Sequence, residues 1–104
     1  MTSAGTPAGS VSLSTHVLDT AAGAPAHGVL VVLYRGDMFL VEARTDPDGR
    51  ACLGDELDPG TYRLVFHPPS PFFKRVELEV ELDEGHYHVP LLVAPYSCAS
   101  YRGS

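Results

Sequence analysis

Basic side chains are scarce in this sequence of 104 residues. Seven lysine and arginine residues stand against 13 aspartate and glutamate residues, and the formal net charge is −6. Binding to a nucleic-acid backbone requires a clustered excess of positive charge, so the composition argues against a nucleic-acid partner. No apolar run is long enough to cross a bilayer either, and no membrane partner is predicted.

Cysteine is nearly absent, with Cys52 and Cys98 as the two thiols. The first residues, Met1 to Pro7, contain neither the basic nor the apolar region of a secretory signal. Because disulfides persist mainly in oxidising compartments, we predict two reduced thiols in place of a bridge. The chain also lacks the Ser-Lys-Leu ending that addresses proteins to peroxisomes, and together these features predict a cytoplasmic location.

Proline and glycine are frequent, at 9 and 10 residues, and they interrupt the chain too often for several long helices. The length allows one small domain, which association with further copies would help to stabilise. Residues 1–10 are small and polar and are predicted to form a disordered arm, followed by a domain at 11–104.

Alternation of apolar and polar side chains predicts strands, with Thr20 to Ala26 as a loop and Asp48-Gly49 as a tight turn. The ranges are 11–17, 29–34, 38–45, 62–66, 76–82, 86–93 and 96–102. Seven or eight short strands separated by turns predict an all-β fold, a two-sheet antiparallel β-sandwich. Glu77, Glu79 and Glu81 alternate with apolar residues and are predicted to form a solvated face without chemistry.

Histidine occurs near both ends of the chain, on the polar faces of predicted strands. His16 points away from the apolar face of its strand, while His86 and His88 share one face with Pro90, which suggests a sheet edge or a bulge. A His-x-His pair with a third histidine could hold zinc, but no further ligand stands at a telling spacing. We therefore predict no metal and no other cofactor. Taken alone, histidines at such positions are more often exposed or hydrogen-bonded surface residues than functional ones.

Arginine is placed at two distinctive positions. Arg50 directly follows the Asp48-Gly49 turn, so local geometry fixes its position. The chain closes with Tyr101-Arg102-Gly103-Ser104. Taken singly, the first would be a solvated charge and the second a frayed terminus, because the last residues of a domain are poorly ordered unless they are tied down.

Four blocks of the sequence resemble the 5-hydroxyisourate hydrolases, the enzyme branch of the transthyretin-like proteins. The blocks follow in order and are Leu13 to Asp19, Asp48 to Arg50, His86 to Leu92, and Tyr101 to Ser104. The resemblance covers nearly all of the chain after the arm. It implies a homotetramer of two-sheet sandwiches with paired sites in a channel between dimers. It also implies hydrolysis of 5-hydroxyisourate to 2-oxo-4-hydroxy-4-carboxy-5-ureidoimidazoline in urate catabolism.

The same resemblance implies which residues form the site. His16, Arg50 and His88 would be catalytic, and the tail residues Tyr101, Arg102, Gly103 and Ser104 would bind substrate. Hydrolysis of a cyclic amide needs an activated water and a donor for the developing oxyanion, which an imidazole and a guanidinium can supply. We favour His16 as the base beside Arg50, although the roles of His16 and His88 can be exchanged.

The sequence departs from the family in two places. The segment between Phe66 and Phe72 is shorter than the family usually has and has lost a short helix, and the connection from Cys52 to Pro59 is abbreviated. Two other functions are kept as alternatives. One is a catalytically silent carrier, although transthyretin, the hormone carrier of this fold, lacks the Arg-Gly-Ser ending. The other is an immunoglobulin-like interaction module.

Overall fold

A computed structural model of the chain describes residues 10–103, and the regular elements within this range are strands. Their bounds are β1 Val11–Asp19, β2 Ala24–Pro25, β3 Leu30–Arg35, β4 Met38–Arg44, β5 Arg50–Leu57, β6 Gly60–His67, β7 Val76–Leu82, β8 Gly85–Ala94 and β9 Ser97–Ser100. In the described range no helix combines the length and the apolar character needed to span a bilayer. The predicted arm, apart from Ser10, and Ser104 lie outside the described residues.

Two sheets form the sandwich. The first sheet has the order β2-β1-β8-β9, with β5 also paired to β1, and the second has the order β4-β3-β6-β7. The predicted all-β, two-sheet sandwich is confirmed. Pairing is antiparallel except between β1 and β8, which run parallel. No hairpin connects these two strands, because they come from opposite ends of the chain, so a turn does not impose an antiparallel direction on them.

The core lies between the sheets and follows the period of two in each strand. In β1 the buried residues alternate with Ser12, Ser14 and His16, which therefore lie on the outer face of the first sheet. The largest fully buried side chains include Tyr62, Phe66, Leu13, Leu33, Leu64, Leu82 and Leu91. Burial of each large apolar side chain contributes about 1.5–3 kcal/mol. The force that buries one face of β1 and β8 thus directs their serines and histidines outward.

The position of Pro90 on the histidine face suggested a sheet edge or a bulge, but the strand that contains Pro90 is not at an edge of its sheet. Pro90 lies in β8, between β1 and β9, where its carbonyl accepts a hydrogen bond from Ser100 Oγ at 2.7 Å. Regular pairing with β9 extends from Leu91 to Ala94, and the ladder resumes beyond Pro90 only at His88. Because proline has no N–H to donate, it interrupts the ladder at this point without separating the strands.

Three connections differ in detail from the sequence prediction. Ala24–Pro25, within the predicted loop, pairs with the end of β1 because the chain reverses through Gly23, whose φ is 66°. What looked like an abbreviated connection after Cys52 is mostly strand, since β5 continues to Leu57 and only residues 58–59 lead into β6. Residues 68–75 join β6 to β7 without a helix.

Candidate active site

A tight turn fixes the backbone of Arg50 at the start of β5. Asp46 Oδ1 accepts hydrogen bonds from the backbone N–H groups of Asp48 and Arg50, both at 2.9 Å, and Asp46 O accepts one from Gly49 N at 2.8 Å. The pairing of β1 with β5 then sets Arg50 opposite His16. The sequence-predicted turn therefore places a guanidinium beside an imidazole that lies 34 positions earlier in the chain.

Gly49 allows this turn to approach β1 closely. Its φ of 78° is disfavoured for other residues, and a Cβ atom at this position would lie 2.5 Å from Val17 O and 3.2 Å from the His16 ring. The close approach lets Val17 N donate to Gly49 O at 2.7 Å. A glycine is thus required both for the backbone conformation and for the position of the His16 ring against the turn.

His88 reaches the same region from β8. The centroids of the His16 and His88 rings are 6.4 Å apart. Ser14 Oγ lies 2.8 Å from Nδ1 of His88, whereas Nε2 of His88 has no hydrogen-bond partner among residues 10–103. His16 Nε2 is buried and also without a partner in the described range. Leaving a buried nitrogen without a hydrogen bond costs about 1–3 kcal/mol of stability. Such a group calls for an explanation, and a ligand-binding role is one.

A hollow of about 260 Å³ opens in front of these groups, lined by Ser14, Thr15, Asp46, Arg50, Ala51, Cys52 and His88. The Arg50 guanidinium forms no ion pair or hydrogen bond with any side chain of residues 10–103. Burial, together with the charges of Arg50, His16 and His86, lowers the pKa of His88 below its usual 6.5. His88 is therefore neutral at pH 7, with a lone pair available on one ring nitrogen.

The tail is divided between two regions in the single chain. Gly103 N donates to His88 O at 2.6 Å, so the tail runs beside the candidate site at this residue. Arg102 instead lies 4.1 Å above the ring of Tyr87, and with Tyr101 it lines a second hollow of about 330 Å³ between β7 and β8. Although larger, that hollow contains no histidine, since Tyr87 is on the opposite face of β8 from His88.

Three residues of this region were not assigned a role from the sequence. Ser12, Ser14 and His86 form hydrogen bonds that continue from His88 along the outer face. Alternation had placed the serines on the face of His16, but it could not show which histidine each would meet. Within the described part of the chain no group of three or more His, Cys, Asp or Glu side chains could hold a metal ion. Cys52 and Cys98 are not bonded to each other in the structure, and burial raises the pKa of the Cys98 thiol.

Comparison with known proteins decides the family. The HIUase/Transthyretin family matches residues 13–103. The chain belongs to this family. A 5-hydroxyisourate hydrolase of Pseudomonas aeruginosa is 36% identical over 126 aligned positions that include all of both chains. The corresponding enzyme of Caulobacter vibrioides is 42% identical over 88% of this chain and 97% of the relative. Because the first alignment has more positions than the 104 residues of this chain, part of that relative has no counterpart here.

Solved structures agree with the family assignment. The 5-hydroxyisourate hydrolase of Klebsiella pneumoniae superposes with a TM-score of 0.83 and 34% identity, over 89% of this chain and 99% of that one. A sea bream transthyretin in complex with thyroxine superposes with a TM-score of 0.76, over 88% and 93% of the two chains, at 24% identity. The latter likeness concerns the fold alone. Membership of this family removes the immunoglobulin-like module as an interpretation.

Proposed function

We propose that the chain hydrolyses 5-hydroxyisourate to 2-oxo-4-hydroxy-4-carboxy-5-ureidoimidazoline, a step of urate catabolism. The observation that carries the proposal is the hollow where His88 meets the Arg50 guanidinium, which is unpaired among residues 10–103, next to His16, in a chain similar to named 5-hydroxyisourate hydrolases. The enzyme class predicted from the sequence is confirmed by those relatives. The roles of individual residues, the assembly and the cytoplasmic location stay proposals.

His88 is the better candidate for the base that activates water. Its Nδ1 is held by Ser14, so Nε2 is the nitrogen that faces no protein partner among residues 10–103. The lowered pKa keeps the His88 ring neutral at neutral pH, so one of its two nitrogens carries a lone pair, as a base requires. The sequence favoured His16 in this role, but the hydrogen bonds support the exchanged assignment. His88 Nε2 takes a proton from water while the oxygen of that water attacks the ring carbonyl.

Arg50 and His16 complete the reaction centre. As the water attacks, negative charge develops on the carbonyl oxygen, and the permanently charged Arg50 guanidinium, which forms no ion pair with residues 10–103, is suited to donate to it. His16 Nε2, buried and unpaired in the described range, gains a partner when the polar substrate binds. Nε2 of His88 then delivers a proton to the leaving nitrogen of the substrate as the carbon–nitrogen bond breaks.

The tail and the homotetramer belong to the same proposal. We propose that Tyr101, Arg102, Gly103 and Ser104 close the site when subunits associate. Two observations support this role: the Gly103 contact with His88, and the exposure of Tyr101 and Arg102, which makes both side chains accessible to a partner subunit. Native mass spectrometry tests the tetramer. A separate experiment tests the tail: residues added after Ser104 should occupy the site and lower turnover. Full activity with such an extension would remove the tail from the site.

The decisive experiment follows the ultraviolet absorbance of freshly made 5-hydroxyisourate, produced by urate oxidase, with and without the purified chain. Acceleration by the wild type and loss of about 10²-fold or more in His88→Ala or His16→Ala are expected. His67→Ala is the matched control, because His67 is exposed at the end of β6 in the other sheet. No acceleration by a folded wild-type protein, together with saturable ligand binding, would instead establish a silent carrier.

A further inference from the structure

Four side chains form one continuous row of hydrogen bonds across β1 and β8. Ser12 Oγ lies 2.6 Å from Nδ1 of His86, Ser14 Oγ lies 3.1 Å from Nε2 of His86, and the same oxygen lies 2.8 Å from Nδ1 of His88. The row therefore begins at His88 in the hollow and continues through Ser14 and His86 to Ser12.

The parallel register of β1 and β8 produces this row. Ser12 pairs with His86 and Ser14 with His88, and both pairs lie on the outer face because successive side chains alternate. His86 is exposed, and both of its contacts are at the surface, whereas the contact between Ser14 and His88 is partly buried. One end of the row thus reaches solvent and the other ends at the proposed base.

The chemistry of a hydroxyl couples the two imidazoles. Ser14 has one hydrogen, so it can donate to only one of the two ring nitrogens and must accept from the other. If Ser14 accepts from Nδ1–H of His88, Nε2 of His88 carries the lone pair and Ser14 donates to His86. If Ser14 donates to His88, Nε2 carries the proton and cannot act as a base. The direction of the row therefore sets the tautomer of His88.

We propose that Ser14 is a positioning residue that holds His88 as the Nδ1–H tautomer, and that His86 and Ser12 extend it into a proton path to solvent. This inference rests on the proposed hydrolysis. His88 Nε2 gains the proton of the attacking water, and Nδ1–H passes to Ser14. The Ser14 hydrogen passes to His86 Nε2, His86 Nδ1–H to Ser12, and the Ser12 hydrogen to bulk water. One proton enters and one leaves, and the reverse sequence supplies the leaving nitrogen.

Charged groups around His88 favour such a path. Arg50 on β5, His16 on β1 and His86 on β8 all oppose a lasting positive charge on the ring, while Asp46 at the same hollow is held by the backbone of the turn. A proton taken from water is therefore better passed on than kept. Because the row leads away from Arg50, transfer along it moves the proton's positive charge further from the Arg50 guanidinium.

Ser14→Ala tests the positioning role, with Ser14→Thr as the conservative variant that keeps the hydroxyl. We expect Ser14→Ala to lower kcat by about tenfold or more with KM nearly unchanged, because a misaligned base affects the chemical step. Ser14→Thr should recover most of the activity, and Ser97→Ala, an exposed serine of β9, should have no effect. Unchanged kcat in Ser14→Ala, with the wild type active, would overturn the proposal.

Nitrogen-15 NMR of the imidazoles gives a readout that needs no substrate. Wild type should show His88 mainly as the Nδ1–H tautomer, and Ser14→Ala should shift the population toward Nε2–H. An unchanged tautomer in Ser14→Ala would contradict the coupling even if kcat fell. If the wild type shows no turnover but the tautomer shifts, the hydrolase function fails while the positioning survives.

His86→Gln tests the outer half of the row, because glutamine keeps hydrogen bonding to the serines but cannot carry a proton through a ring. We expect a lower kcat than wild type, with Ser14 still bonded to His88. If His86→Gln has the kcat and pH profile of the wild type, His86 and Ser12 do not form a proton path to solvent. Only the positioning role of Ser14 would then remain.

Discussion

The outer faces of the two sheets differ in whether their charged and polar side chains are paired. On the second sheet, Arg63 Nη1 lies 2.9 Å from Glu77 Oε1, and Arg75 Nε lies 2.8 Å from the other oxygen of the same carboxylate. On the first sheet, Arg50 lacks an anionic partner and His16 Nε2 lacks any partner among residues 10–103. Arg63 and Arg75 are thus paired with a carboxylate on one face, whereas Arg50 is left available on the other.

This contrast separates groups that support the surface from groups that can bind a ligand. A hydrogen bond from Arg63 is the main reason that the pKa of the Glu77 carboxyl is lowered. Glu77 is nevertheless solvent-exposed, and ion pairs of this kind contribute little to stability. The predicted solvated face of Glu77, Glu79 and Glu81 agrees with this arrangement. A free guanidinium beside imidazoles can instead give its hydrogen bonds to a substrate.

Removal of each arginine should produce the largest contrast between the faces. Arg50→Ala is expected to lower kcat/KM for 5-hydroxyisourate by about 10²-fold or more, the usual effect of losing an oxyanion donor. Arg63→Ala, its counterpart on the second sheet, should leave turnover unchanged because its partner is Glu77. Steady-state kinetics of both purified variants measure this difference. Equal losses in the two variants would show that the contrast between the sheets has no functional meaning.

Two glycines with the same backbone conformation test how tightly the turn at the site is constrained. Gly49 and Gly28 both have a φ of 78°, but a Cβ atom would meet Val17 O at 2.5 Å only at Gly49, and nothing within 4 Å at Gly28. Gly28→Ala should cost about 1 kcal/mol of unfolding free energy from backbone strain, and Gly49→Ala at least about 2 kcal/mol more. Urea denaturation compares the two variants. Similar midpoints would contradict the close approach.

The pH dependence should report the surroundings of His88. In the proposed mechanism the neutral form of His88 is active, and a lowered pKa keeps this side chain neutral to a lower pH than an ordinary histidine. The value of kcat/KM should therefore stay above half of its maximum at pH 6.5 and decline only at more acidic pH. A pH series of initial rates measures the acidic limb. If the midpoint of the acidic limb lies above pH 6.5, a group other than His88 causes that limb, or His88 is not the base.

The smallest effect is expected from the ion pairs of the second sheet. Glu77→Gln should leave turnover unchanged and shift Tm only slightly at pH 7, because the carboxylate is exposed. Since the folded-state pKa of Glu77 lies below 4.5, any stabilisation is present above that pH and is lost as the pH falls further. Thermal melts of the two proteins should therefore converge in acid. A large difference at pH 7 would give these pairs a structural role.

Sequence patterns were reliable wherever a local repeat decides the structure. Alternation in residues 76–82 and 11–17 predicted both strands and the faces of their side chains, and β1 continues two residues further, to Asp19. The Asp48-Gly49 pair predicted the turn, and hence the position of Arg50, since only a few residue types accept a positive φ. The resemblance of four blocks then predicted the family. The order of strands within the sheets had no comparable local pattern.

Predictions were weakest where distant segments meet. The sequence placed Pro90 at an edge or bulge, but β9 returns to pair with β8 and makes it an interior strand. Alternation put Ser14 and His88 on outer faces without indicating that they touch, because they are 74 residues apart. The tail was expected to close the site, yet in a single chain Arg102 packs over Tyr87. The proposal that the tail closes the site therefore rests on the association of subunits.

The amino-acid sequence by itself determined most of the strands but not β2 or β5, the inward and outward faces of those strands, the turn before Arg50 and the resemblance to the family. These features depend on neighbouring residues, whose spacing along the chain is fixed by covalent geometry. Tertiary structure alone decided that β1 and β8 pair in parallel, with Ser12 and Ser14 against His86 and His88. That register follows from how the two sheets bury their apolar faces together, which is a property of the whole fold and of no single segment.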